Sequence, residues 1–139
     1  MLQIRAGREG EGGGAHGDIE FTNAGSRPCV LRGLPRVAIV QAGGVSLPVR
    51  LVPAQDLSLR SVVLPPGALD AADLVVFWAN WCGRLPGPLS VRVTLPAGGG
   101  QITGPFNGPP DYNFVPQCTD SGQASSISIT EAYSPGLAS

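Results

Sequence analysis

Leu89-Ser90-Val91-Arg92-Val93-Thr94-Leu95 decides the fold. Apolar residues fill every odd position, and Ser90, Arg92 and Thr94 fill the even ones. A period of two puts one face of an extended chain inward and the other toward water, which is the pattern of an amphipathic β-strand. A cysteine stands on each side of this strand. Cys82 lies in Phe77-Trp78-Ala79-Asn80-Trp81-Cys82-Gly83, and Cys118 in Val115-Pro116-Gln117-Cys118. Two of three cysteines, separated by strand, read as a staple across a β fold and imply an oxidising compartment. Such a bridge closes a loop of about 36 residues and would stabilise the fold by roughly 4 kcal/mol through the unfolded state. Metal ligation is the alternative, and it needs a third and fourth donor at suitable spacing. The only histidine, His16, sits far away in a glycine-rich stretch. Free thiols are the remaining option.

Further strands appear on both sides. Leu2–Arg5, Asp18–Thr22, Cys29–Leu31, Arg36–Gln41 and Ser126–Thr130 are short and apolar or alternating, with Ile19 and Phe21 expected inward. Leu47–Leu51 and Leu57–Val62 also alternate, and Pro48 demotes the first to a sheet edge. Leu74-Val75-Val76-Phe77-Trp78 is β-branched and aromatic, as in a buried strand, although the chain from Ala71 could begin as helix. Asn23–Pro28 and Ala42-Gly43-Gly44 carry turn chemistry, and Pro65-Pro66-Gly67 breaks the chain. Gly7–Gly17 reads as a flexible glycine-rich loop, 104–116 as an irregular proline-rich loop, and 134–139 as a loose tail. No helical periodicity lasts three turns. The expectation is one all-β domain over residues 1–139: an immunoglobulin-like antiparallel β-sandwich of about seven to nine strands, stapled by a disulfide.

The totals agree. A chain of 139 residues suits one domain with its own core. Apolar residues at 42 % exclude wholesale disorder, and charged residues at 14 % leave a surface of small polar groups. The net charge of −1 supplies no basic patch for nucleic acid. Every basic residue is Arg, which reads as codon usage before chemistry. No run approaches the roughly 20 apolar residues of a transmembrane helix. No charged-then-apolar leader is visible either, so an exported chain would take its signal peptide from upstream of Met1.

With the strands placed, a resemblance becomes visible. Phe21-Thr22-Asn23-Ala24-Gly25-Ser26-Arg27-Pro28-Cys29-Val30-Leu31-Arg32-Gly33-Leu34-Pro35 is followed in order by Leu64-Pro65-Pro66-Gly67, Trp78-Ala79-Asn80-Trp81-Cys82-Gly83 and Pro116-Gln117-Cys118. Together these blocks resemble the secreted, actinobacterial-type family called domain of unknown function 4232, over nearly the whole chain. The resemblance implies an immunoglobulin-like sandwich on an exported bacterial protein or lipoprotein of the cell envelope, with any lipid anchor upstream. It implies no activity. It also implies a second cysteine just before the first strand, paired with Cys29. Here only Met1 precedes Leu2, so Cys29 is expected as an unpaired thiol lying near Leu2.

Each candidate site has a plain structural reading beside it. Cys29 as a nucleophile would need a nearby base. His16 with Asp18 and a serine would need a rigid setting, which Gly12-Gly13-Gly14-Ala15-His16-Gly17 does not supply. Asp70 and Asp73 lie close but suit capping near a Pro/Gly turn. No catalytic residue, metal site or cofactor is therefore expected. Trp78 is expected in the core and Trp81 over the disulfide. Tyr112, Asn113 and Phe114, in a proline-rich loop with Asn107 and Asp111, are the best ligand-binding candidates, with Trp81 beside them. The expectation is a non-catalytic, extracellular or cell-envelope module that binds a cell-wall or extracellular ligand or acts as a spacer. A carbohydrate-binding module is the first rival. A hydrolase follows, and a copper or redox accessory domain is weakened by one Met and one His.

Overall fold

The computed structural model describes residues 2–11, 14–52, 61–84, 87–96, 98–107 and 115–135. Ten strands and no helix are present among them. They are β1 (Leu2–Glu11), β2 (Gly14–Asn23), β3 (Cys29–Arg32), β4 (Arg36–Gln41), β5 (Val49–Val52), β6 (Ser61–Leu64), β7 (Gly67–Ala79), β8 (Leu89–Thr94), β9 (Gln101–Asn107) and β10 (Ser125–Pro135). Eight form one sheet in the order β4-β8-β9-β1-β2-β7-β10-β5, and β3 pairs with β6 in a separate ribbon. Pairing is antiparallel except where β9 meets β1 and β5 meets β10. The end strands approach each other, with Leu47 N–H donating to Ile39 O at 2.8 Å, so the sheet curls toward closure.

The sequence pattern explains the core. β8 is buried at Leu89, Val91 and Val93 and partly exposed between them. Ile19 and Phe21 on β2, Leu74, Val76 and Trp78 on β7, Ile39 on β4 and Ile127 on β10 face the same interior. Leu31 and Leu64 carry the β3–β6 ribbon onto it. β5 and β4 are the sheet edges, as Pro48 suggests for β5. Ala42-Gly43-Gly44 turns the chain, with Gly44 N–H donating to Gln41 O at 3.0 Å.

Four expectations need correction. The Gly7–Gly17 stretch is not a loop: β1 and β2 run through it in continuous register, from Leu2 opposite Asn23 to Glu11 opposite Gly14. Gly17 within it serves packing. A Cβ on Gly17 would stand 2.7 Å from Phe106 Cζ and 2.8 Å from Val76 Cγ2. The chain from Ala71 is strand throughout, since β7 begins at Gly67 and pairs along β2 and β10. The 104–116 stretch begins as strand, because β9 reaches Asn107. Gly104 fits there because a Cβ would lie 3.0 Å from Ile4 Cγ1 and 3.1 Å from Ile4 O. β9 is thus a strand beyond those expected, and the described residues hold ten in all. Similarly, β10 extends to Pro135, into the expected tail. Residues 53–60, 108–114 and 136–139 lie outside the described residues.

Candidate functional site

β7 is 13 residues long and, at about 3.3 Å per residue, spans roughly 40 Å. Its C-terminal end holds the densest arrangement of polar groups. Trp78, the last inward residue of β7, buries its ring and donates from Nε1 to Ser125 Oγ at 2.8 Å. Ser125 Oγ donates in turn to Ala79 O at 2.8 Å, locking the start of β10 against the end of β7. Asn80 then leaves the strand with φ of 61°, a left-handed conformation that Asn tolerates better than most side chains. Its side chain is buried and its amide is saturated. Nδ2 donates to Asp120 O at 2.9 Å and Gln123 O at 3.1 Å. Oδ1 accepts from Thr119 N and Asp120 N, both at 2.9 Å, and from Thr119 Oγ1 at 3.2 Å.

Beside this knot Cys82 and Cys118 are joined, with Cα atoms 4.7 Å apart and a sequence separation of 36. Both are exposed. The bond therefore lies at the end of the sheet, where it links two irregular segments, and not within the core. Trp81 is half-buried and sits edge-on to Trp78, at 5.8 Å between centroids. Its Nε1 donates to Arg84 O at 2.8 Å, and its ring fills the space a Cβ on Gly83 would take. Trp81 is thus committed to Trp78 and the 83–84 backbone. The other ligand candidates, Tyr112, Asn113 and Phe114, lie outside the described residues, as does Asp111.

The opposite end of β7 carries the second knot. Asn23, fully buried, stands opposite both Leu2 on β1 and Gly67 on β7. Its Nδ2 donates to Arg27 O at 2.6 Å and Leu64 O at 3.1 Å, and its Oδ1 accepts from Gly25 N at 2.9 Å. Leu64 is in turn the register partner of Cys29. Leu2 and Cys29 thus share this end through Asn23. Cys29 is a free, half-buried thiol.

The remaining candidates are dispersed. His16 projects from the outer face of the sheet, its ring 5.0 Å from that of Phe77. Asp18 is exposed two residues along the same strand. Asp73 is buried in mid-strand on β7, opposite Glu20, and is no cap. Arg5 pairs with Glu20 at 2.6 Å. Among the described residues, no three His, Cys, Asp or Glu side chains are grouped as a metal site would need, and no helix is long and apolar enough to cross a membrane. Sequence reasoning missed Asn80, Ser125 and the full role of Asn23. The available signal was an Asn directly after an apolar run, where its amide can serve a backbone that has just lost its ladder.

The chain matches the family described as Domain of unknown function (DUF4232) over residues 1–130. It belongs to that family. No curated protein and no solved structure matches it.

Proposed function

We propose that this domain is a non-catalytic module of the cell envelope or extracellular space, which binds a surface ligand or holds another domain at a distance. The observation that carries the reading is the exposed Cys82–Cys118 bond, because exposed disulfides persist in oxidising compartments and are rare in reducing ones. The dispersed chemistry supports the absence of catalysis. His16 rests on Phe77 on an open sheet face, and Cys29 lies at the far end of β7 from the disulfide. A general base needs a nucleophile within hydrogen-bond reach, and His16 and Cys29 stand on different strands, His16 on β2 and Cys29 on β3.

Thiol trapping in intact cells of the native host tests the compartment. Cys82 and Cys118 should be recovered as one linked peptide. Recovery of both as alkylated thiols would place the domain in a reducing compartment and overturn the reading. A panel of cell-wall glycans and ester, amide and glycoside substrates tests the rest. Turnover that disappears in His16→Ala would make the domain a hydrolase, and glycan binding without turnover would make it a carbohydrate-binding module.

A further inference from the structure

The 118–123 segment is attached to the end of β7 in two independent ways. One is the disulfide. The other is the Asn80 side chain, whose bonds to Thr119, Asp120 and Gln123 involve neither sulfur. We propose that Asn80 is the template for the Cys82–Cys118 bond: it holds the segment in place in the reduced chain, so that the bond opens and reforms within the folded protein.

Several observations carry this. Asn80 is buried, so its hydrogen bonds are partly shielded from water, whereas both cysteines are exposed and within reach of a small thiol reagent. Asn80 offers two donors and one acceptor oxygen, and the structure uses both ends of the amide. Cys82 Sγ also lies 3.3 Å from Asn80 Oδ1, so a reduced Cys82 would have an acceptor for its S–H. Without the knot, the 118–124 segment would be tied to the end of β7 only from its β10 side, where Ser125 bonds Ala79 O and Ser126 pairs with Ala79, and Cys118 would be free to swing away from Cys82. With it, the pair stays adjacent.

The redox step balances with oxidised glutathione as oxidant. One cysteine thiolate attacks the glutathione disulfide, forming a mixed disulfide and releasing one glutathione thiolate. The second cysteine thiolate attacks the protein sulfur of that mixed disulfide and releases the second. Two protein thiols are oxidised, one glutathione disulfide is reduced to two thiols, and two protons pass from the cysteines to the released glutathione.

Two measurements on the full chain test the proposal. In the Cys82→Ser/Cys118→Ser variant, the Thr119 and Asp120 amides should stay protected from hydrogen exchange, because Asn80 Oδ1 still accepts from them. Exchange at the rate of an open loop would overturn the idea. In glutathione buffers, Asn80→Ala should shift the dithiol–disulfide equilibrium toward the dithiol by about tenfold or more, the equivalent of one or two net hydrogen bonds. Asn80→Gly keeps the left-handed backbone without strain and should match Asn80→Ala. If Asn80→Gly instead behaves as wild type, backbone shape alone presents the cysteines and the proposal fails. If Asn80→Ala does not fold, the exchange experiment decides.

Discussion

The two ends of β7 solve one problem in different ways. At each end the chain leaves a regular ladder, and its backbone groups need new partners. At each end a buried asparagine supplies them through both ends of its amide: Asn23 near Gly67, and Asn80 after Ala79. The difference lies in what else holds the parts together. Near Asn23, the distant segments are already joined by the β3–β6 ladder, from Cys29 opposite Leu64 to Arg32 opposite Ser61. Near Asn80, residues 80–84 and 115–124 are both outside strands and share no ladder. A covalent bond stands where the ladder is missing. The contrast indicates that the disulfide takes over the role of strand pairing, while the free Cys29 sits where pairing already suffices.

The largest expected effect breaks the covalent end. Replacing both Cys82 and Cys118 by Ser should lower unfolding stability by about 4 kcal/mol, from the freedom restored to a 36-residue loop in the unfolded chain. Urea denaturation against the oxidised wild type measures it. A loss under about 1 kcal/mol would mean that the bond adds little to the Asn80 knot.

The next effect breaks the other end. Asn23→Ala leaves Arg27 O, Leu64 O and Gly25 N without their partner at a site with no exposed surface. The expected cost is about 2–3 kcal/mol, since unsatisfied buried groups carry their desolvation penalty. Asn23→Asp should cost at least as much, because it keeps the acceptor for Gly25 but aims a carboxylate at two carbonyls. The same denaturation assay reads both. An aspartate variant as stable as wild type would show that the donor half of the amide is idle, leaving the β3–β6 ladder to hold this end alone.

These contrasts show what was legible in the sequence. Strict alternation in Leu89–Leu95 and the aromatic run at Leu74–Trp78 specified buried strands, because side-chain burial there follows a period of two. Asn23–Pro28 was legible as a turn because its residues carry turn chemistry locally. The glycine-rich hairpin and β9 were not legible. Gly17 answers to Phe106 and Val76 and Gly104 to Ile4, all distant in sequence, and a glycine that makes room for a neighbour is spelled like one that loosens a loop. Asn80 was equally hidden, because four of its five bonds reach Thr119 and Asp120 and the other reaches Gln123, about forty residues away.

Gly17 offers a reference between the two ends, in the body of the sheet, where neither knot acts. Gly17→Ala would push a methyl into the Phe106 ring and the Val76 methyl from a backbone that needs no positive φ. The expected cost is about 1–3 kcal/mol from overpacking. Thermal unfolding checks it. A neutral or stabilising result would mean that Phe106 shifts freely and that glycine is there for another reason.

The smallest expected effect is the sharpest test of the comparison. If the Asn23 end is held by its amide and the β3–β6 ladder, the Cys29 thiol is dispensable there. Cys29 is half-buried at the start of β3, opposite the buried Leu64 and followed by Val30, which is 51 % exposed. A free cysteine in such a place acts as a small apolar side chain. Cys29→Ala removes one sulfur from a partly solvated site and leaves every bond of Asn23 in place. The expected cost is under about 1 kcal/mol, several-fold less than the loss of the disulfide at the other end. Denaturation of the single variant beside the double cysteine variant gives the ratio directly. If Cys29→Ala proves as costly as removing Cys82 and Cys118, the Asn23 end depends on its cysteine after all, and the two ends of β7 are held by sulfur alike.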